Sequence, residues 1–337
     1  MFRRVLAAAA VVVVALILFV LAWPQFFGLQ RSFGVAHVVS LRAVAAVIAV
    51  ALIVALTLVA LLFRAARRFF ATLAVLLVAF ALVNAAVLST RGFGSPAFET
   101  ASESTLTVLS WNTLGDVPGA ETVGALALEN DADIVTLPET TNEFALQVAA
   151  VMKAEGRPMW VQTTYFDQIS KSRSTSVLTS ADLGTYTVDD TVGQTATLPT
   201  VVLRPDNGSG PTIIAVHAVA PIPGEFHNWQ ADLAWLADTC VGENVIVAGD
   251  FNATLDHMSG LGSGGPSALG NCVDAAATTG NAAVGTWPTT LPALLGSPID
   301  HVMATDNWRA TGMRVVQDQD GAGSDHRPII AQLAPAN

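Results

Sequence analysis

The chain has 337 residues, of which 52% are apolar and only 13% charged, with a mean hydropathy of +0.52. That balance excludes intrinsic disorder, a collagen-like repeat and a disulfide-dense secreted scaffold. All 27 acidic residues lie at or after Glu99, whereas seven of the 16 basic ones (Arg3, Arg4, Arg31, Arg42, Arg64, Arg67, Arg68) precede Thr90, so the first 90 residues carry +7 and the rest −18. A basic apolar head joined to an acidic body predicts a membrane anchor followed by one soluble domain.

Three charge-free apolar runs come first in the chain, at residues 5–22, 44–63 and 69–88. Each is close to the ~20 residues that a helix needs to cross a bilayer of ~30 Å. Their few polar residues, Thr57, Thr72 and Asn84, read as glue between helices. Trp23-Pro24 closes the first run where an interface would lie. Arg3-Arg4 ahead of an apolar stretch also suits a cleavable signal peptide. However, no small-x-small site followed by a polar start precedes Trp23, so the run is read as an uncleaved helix. Arg3, Arg4, Arg64, Arg67 and Arg68 fall on one side of the membrane, and Arg31, Arg42 and Arg91 on the other. This bias predicts a multi-pass cell-membrane protein with an inside N-terminus and the body outside.

Residues 91–104, rich in Gly, Ser, Pro and Thr, read as a linker, and residues 105–334 as the catalytic domain. Short β-branched segments at 106–111, 132–139, 175–180, 200–205, 212–220 and 244–251 read as strands. Residues 122–130, 142–155 and 227–238 read as helices. Many strands with few helices predict a sheet sandwich flanked by helices. The two cysteines, Cys240 and Cys272, would close a disulfide in an exported domain or remain as two buried thiols.

Polar residues gather at the ends of the apolar strands. Asn112 follows one strand, Glu139 ends another, His217 lies in a third, and Asp250 and Asn252 end a fourth. Asp300 precedes an apolar Val-Met pair, and Asp325-His326 precedes Arg327-Pro328-Ile329-Ile330. Leaving so many polar groups buried and unpaired would cost several kcal/mol each. Hard oxygen donors without a cysteine cluster suit Mg²⁺ or Mn²⁺ rather than zinc. Histidines beside them supply proton transfer, a combination suited to attack by water on a phosphate ester.

In order along the chain, the motifs are Ser110-Trp111-Asn112, Pro138-Glu139-Thr140, Val216-His217, Gly249-Asp250-Phe251-Asn252-Ala253, Ile299-Asp300-His301-Val302 and Gly323-Ser324-Asp325-His326-Arg327-Pro328. This set resembles the endonuclease/exonuclease/phosphatase superfamily, which includes DNase I-like nucleases, neutral sphingomyelinases and inositol-polyphosphate 5-phosphatases. The resemblance covers roughly residues 104–334 and implies an α/β four-layer sandwich, two mixed β-sheets packed face to face with helices outside. It also implies roles. Asn112 and Glu139 would hold a divalent metal, with Asp325 near it or near a second ion. Asp250 would orient or deprotonate water, and Asn252 would fix that carboxylate and a phosphate oxygen. His217 and His326 would stabilise the phosphorane and protonate the leaving group, and Asp300 would set the tautomer of His326. Two departures bear on pocket shape: Pro138 stands where Gln is common, and Ser174 and Ser176 where Gly or Ala is usual.

Other residues have plainer readings. His301 reads as a packing residue, and His227 and His257 as surface residues. Trp287, in Thr286-Trp287-Pro288, would line the cleft or anchor a loop. Arg327 would contact phosphate or pack the last strand. The body's −18, with no Lys or Arg between Arg204 and Arg309, is a poor platform for polyanions. The expected substrate is therefore a lipid or small phosphoester, with nucleic acid only as a substrate if at all and with no protein partner. An extracellular nuclease and a catalytically idle binding module are the alternatives.

Overall fold

The computed structural model describes residues 2–336 except Pro96 and Gln168; the side chain of Arg3, counted in the charge bias above, also lies outside the described residues. The chain forms two compact units, Met1–Thr90 and Arg91–Asn337.

The first unit is helical: α1 (Phe2–Ala22), a 3₁₀ turn (Pro24–Phe27), α2 (Val35–Ser40), α3 (Arg42–Leu62) and α4 (Arg67–Arg91). Segments of 19, 21 and 25 residues in α1, α3 and α4 are long and apolar enough to span a membrane, with mean hydropathies of 3.2, 3.1 and 2.5. The 3₁₀ turn and α2 fall where the sequence reads as loop, because four- and six-residue pieces are too short to show periodicity. Asn84 does act between helices: its Oδ1 accepts from Arg42 Nη1 at 2.8 Å, and the same guanidinium nitrogen donates to Ala22 O at 3.2 Å. One arginine thus ties α1, α3 and α4. Thr57 and Thr72 are a correction. Each donates to its own helix, to Ile53 O and Arg68 O, and so bonds no neighbouring helix.

The second unit contains two mixed sheets. The first has six strands in the order β12-β13-β1-β2-β4-β3, where β1 is Leu106–Ser110, β2 Ile134–Pro138, β3 Met159–Tyr165, β4 Ser174–Ser180, β12 Trp308–Val315 and β13 Ile329–Pro335. The second has seven in the order β5-β6-β7-β8-β11-β10-β9, built from β5 (Tyr186–Val188), β6 (Val201–Pro205), β7 (Thr212–His217), β8 (Val245–Asp250), β9 (Ala268–Leu269), β10 (Cys272–Asp274) and β11 (Asp300–Ala304). β1–β2 and β7–β8 are parallel, and the other pairs are antiparallel. Central strands are buried on both faces, which explains their unbroken apolar runs.

The helices α5 (Ala120–Glu129) and α6 (Asn142–Ala154) cover the outer face of the first sheet. Val123, Leu126, Phe144, Val148 and Met152 pack there on Leu109, Val135, Leu137 and Leu178. α7 (Phe226–Thr239) buries Trp229, Leu233 and Leu236. Two short helices, α8 (Leu255–Met258) and α9 (Ala275–Thr279), follow β8 and β10. The result is the expected four-layer sandwich. Cys240, which caps α7, and Cys272 on β10 are joined as a disulfide, with Cα atoms 6.0 Å apart. The described residues of 92–104 lack regular structure but are tied to the body. Gly94 N donates to Gly280 O at 3.1 Å, and Glu99 pairs with Arg309.

Candidate active site

Strand register brings the polar strand ends together. His217 pairs with Asp250 across the parallel β7–β8 ladder, and Asp250 faces Asp300 across β8–β11. Ser110, just before Asn112, lies between Thr136 of β2 and Ile329 of β13. The β8 ladder requires glycine at position 249: its φ is +149°, and a Cβ there would collide with the Val216 carbonyl. Glu139 and Asn252 turn out of their strands with φ of +55° and +47°. Such values are uncommon away from glycine and recur where side chains are aimed at a site.

Hydrogen bonds join Asn112, Glu139, Asp250 and Asn252 in one group and Asp300 and His326 in another, with His217 and Asp325 alongside. Asn112 Nδ2 donates to Glu139 Oε1 at 3.1 Å and to Asp250 Oδ2 at 3.0 Å. Asn252 donates its backbone N–H to Asp250 Oδ1 at 2.8 Å and its Nδ2 to Ala218 O at 3.0 Å. His326 Nδ1 meets Asp300 Oδ2 at 2.9 Å, while its Nε2 is 3.7 Å from Asp250 Oδ2. His217 Nε2 is 3.8 Å from Glu139 Oε1. Asp325 joins from the side, its Oδ2 accepting from Trp287 Nε1 at 2.9 Å.

Several supporting residues carry no sequence signal of their own. Ser324 Oγ donates to Asn112 O at 2.6 Å and accepts from His326 N at 3.1 Å. Trp111 Nε1 donates to His326 O at 2.9 Å. Thr286 Oγ1 accepts from the backbone N–H groups of Ile299 and Asp300. All lie inside or beside the ordered motifs, so proximity to a motif was the available signal.

Burial and charge set the protonation states. Burial alone would strip the proton from His326, but the Asp300 and Asp250 carboxylates outweigh it and hold the ring as an imidazolium. Burial raises Asp250, with the nearby Asp300 charge adding to it and His326 opposing. His217, fully buried with His326 nearby, is pushed down to about 3 and is neutral at pH 7. Its Nδ1 has no hydrogen-bond partner, which leaves a buried nitrogen open to a ligand. Burial also raises Glu139, with Asn112 and His326 working against it.

A cation fits this chemistry. Four carboxylates converge with one imidazolium to balance them, and the buried Oδ1 atoms of Asp300 and Asp325 have no hydrogen-bond partner. The tightest cluster of ligand-type atoms is Asp250, Asp300 and His326, all within 4.8 Å of one another. Its histidine is hydrogen-bonded through Nδ1 to Asp300, however, so within the protein that trio forms a hydrogen-bonded triad of its own. The hard oxygen donors outside it are Glu139, Asp325 and the Asn112 amide.

Other residues resolve differently. His301 is structural: Nδ1 meets Asp274 Oδ2 at 2.6 Å, and Nε2 meets Ala253 O at 2.8 Å. Arg327 is 1% exposed and donates to the Gly285, Pro288, Thr289 and Leu291 carbonyls and to Asp320, so it clamps a loop. His257 is a correction. It is buried rather than on the surface, because its Nδ1 accepts from Thr254 N to cap α8 and its ring packs edge-on against Trp229.

The Endonuclease/Exonuclease/phosphatase family model matches residues 109–326. Among solved structures, an endonuclease/exonuclease/phosphatase from Beutenbergia cavernae is 18% identical, with 70% of this chain and 72% of that one covered, at a TM-score of 0.53. A family protein from Bacteroides thetaiotaomicron is 16% identical, covering 70% and 100%, at 0.51. D. rerio TDP2 complexed with single strand DNA product is 15% identical, covering 68% and 99%, at 0.51. At these identities the likeness is one of fold. No curated protein matches the chain.

Proposed function

The chain belongs to the endonuclease/exonuclease/phosphatase family, and from that premise we propose that it is a membrane-anchored, divalent-cation-dependent phosphoesterase. It hydrolyses a phosphodiester or phosphomonoester by direct attack of water. The observation that carries this reading is the Asp250–His326–Asp300 triad beside Asn112 and Glu139, on one buried rim.

In this reading Asn112, Glu139 and Asp325 would hold Mg²⁺ or Mn²⁺, which when bound would supply Lewis-acid chemistry toward the phosphoryl group. Asp250, raised by burial, orients the water and accepts its proton. Asn252 keeps that carboxylate in place through its backbone N–H. The His326 imidazolium neutralises charge gathering on the phosphoryl oxygens and delivers a proton to the leaving group, and Asp300 holds the ring for both tasks. Neutral His217 supplies a further hydrogen bond from within the cleft.

Charge favours a lipid or small phosphoester over nucleic acid, since nine bases face 27 acids in residues 91–337. The loop charge bias supports a body outside the cell membrane. A nuclease is the second reading, favoured by the likeness to D. rerio TDP2, which is complexed with single strand DNA product. The test is a panel of plasmid DNA, single-stranded oligonucleotide, RNA, phospholipid vesicles and bis(p-nitrophenyl) phosphate, assayed with the full chain in detergent and Mg²⁺ at two salt concentrations. Turnover of the lipid or small diester ahead of DNA supports the first reading. Efficient DNA cleavage at physiological salt supports the second, and no turnover of any member refutes both.

A further inference from the structure

Among the described residues of the body, ten large apolar side chains are exposed, and six of them stand at the end of the sheets that carries the site: Leu114, Val117, Tyr165, Ile169, Ile222 and Leu294. Leu114 and Val117 follow Asn112. Tyr165 ends β3 opposite Ser174, beside the Pro138 end of β2, and Ile169 lies in the loop between β3 and β4. Ile222 is in the loop that leaves His217, and Leu294 is in the loop between Trp287 and Ser297. Ile169 is 96% exposed, an extreme value for an isoleucine.

These loops are set in place by contacts of their own. Lys171 Nζ bonds Gly115 O at 3.2 Å and Asp116 Oδ2 at 3.0 Å, which joins the loop of Ile169 to that of Leu114 and Val117. Gly323 sits so close to Val117 that a Cβ on it would lie 2.6 Å from Val117 Cγ1. Scattered apolar residues are ordinary on a surface, but six of the body's ten gathered at one end of its sheets are not. One of the six, Tyr165, lines a cavity of about 530 Å³ together with Asp116, Thr141, Glu143, Phe144 and Lys171.

A second observation says what covers this cluster. The body's first residues follow directly on a membrane-spanning helix in sequence, and they are pinned beside the same rim. Arg91 Nη2 pairs with Asp256 at 2.9 Å, four residues beyond Asn252. Arg91 O and Gly92 O accept from Ala282 and Ala283, just ahead of Thr286-Trp287. Phe93, between them, is itself 54% exposed. Only Ser89 and Thr90 separate the last apolar run from Arg91, so by chain length alone a bilayer surface is within reach of these contacts.

Resting on the phosphoesterase reading for the substrate but not for the contact, we propose that this apolar cluster seats on the bilayer holding the anchor, and that the substrate is a phosphoester borne by a membrane lipid. Leu114, Val117, Ile169, Ile222 and Leu294 enter the interface while the headgroup reaches the site at Glu139, Asp250 and His326. Because the cluster is apolar, contact needs neither anionic lipid nor low salt.

The test uses the full chain in phosphatidylcholine proteoliposomes. Ile169→Cys, Ile222→Cys and, as a control, Val241→Cys are each labelled with an environment-sensitive fluorophore; the two native cysteines are already joined. Val241 is equally exposed but precedes β8 at the end opposite Asp250. Labels at 169 and 222 should shift to the blue and be quenched about twofold or more by headgroup-proximal doxyl lipid, with the label at 241 unaffected. Labels as wet as the control, or shielded without doxyl quenching as under a protein partner, overturn the contact. Combining Ile169→Ser, Ile222→Ser and Leu294→Ser should lower vesicle-lipid turnover roughly tenfold while bis(p-nitrophenyl) phosphate turnover stays within about twofold. A chain that docks yet cleaves only the soluble diester overturns the lipid assignment. A chain that docks and cleaves neither substrate keeps the contact and refutes the phosphoesterase reading instead.

Discussion

Asp300 bonds His326 directly at Nδ1, which makes Asp300→Asn a sharp perturbation. The substitution keeps shape and removes charge. At an effective dielectric of about 20, opposite unit charges about 4 Å apart attract by about 4 kcal/mol, equivalent to about three pK units. The 2.9 Å contact between Asp300 Oδ2 and His326 Nδ1 places this pair near that limit. Without it, burial pulls the His326 proton off, and only Asp250, 3.7 Å from Nε2, remains to oppose. At neutral pH the ring then becomes mostly neutral, in a tautomer no longer fixed by a carboxylate. The expected loss in kcat is about 10²–10⁴, the range for a misassigned general acid. The diagnostic is the pH profile for bis(p-nitrophenyl) phosphate with the full chain and Mg²⁺. The alkaline limb, where His326 loses its proton, should move to lower pH by about two to three units. A variant that melts like the wild type but keeps its activity within about threefold, with the alkaline limb unmoved, would refute the assignment of His326 as the charged acid.

Chelation should abolish hydrolysis, and Mg²⁺ or Mn²⁺ should restore it; Glu139→Gln should lower kcat by about 10² or more and weaken Mg²⁺ binding measured calorimetrically, whereas undiminished activity in chelator would remove the cation from the mechanism. Asp274→Asn should destabilise the body by about 3–5 kcal/mol in denaturant titration, because it leaves the buried His301 without its carboxylate. Burial opposes the His301 charge, but Asp274 and the Ala253 carbonyl raise the folded value. The contribution of this pair is therefore full below the unfolded histidine value of about 6.5 and is lost as pH climbs through the raised folded one, so the gap between wild type and variant should narrow on the alkaline side. Protease added to intact cells should release a fragment of the body's size, with Cys240 and Cys272 joined in non-reducing peptide maps; a body protected until the membrane is ruptured would reverse the orientation.

What the sequence made legible, and what it hid, follows from the range of the interactions. The helices read at 122–130, 142–155 and 227–238 appear as Ala120–Glu129, Asn142–Ala154 and Phe226–Thr239, because each carries a one-sided apolar stripe. Central strands such as β2 and β8 were visible as apolar runs. β3 was not, since an edge strand written Met-Trp-Val-Gln-Thr-Thr-Tyr is half-buried throughout and loses its contrast. β12 was hidden too, because a register shift between Ala310 and Gly312 interrupts its alternation. The polar strand ends could be named because a buried strand leaves few reasons for a carboxylate at its last position. Their pairing could not be read from local spacing: the contact between Asp300 and His326 spans 26 residues, and that between Asn112 and Asp250 spans 138. His257 shows the same limit from the other side. With no motif around it, the histidine looks like a surface residue, yet its burial depends on a tryptophan 28 positions earlier and on a backbone N–H that needed a cap. A histidine's meaning is fixed by the partners that tertiary structure supplies, and the three other buried histidines of this chain have three different sets. His326 is charged between two carboxylates, His301 is clamped between a carboxylate and a carbonyl, and His217 is neutral with its Nδ1 unpartnered among the described residues.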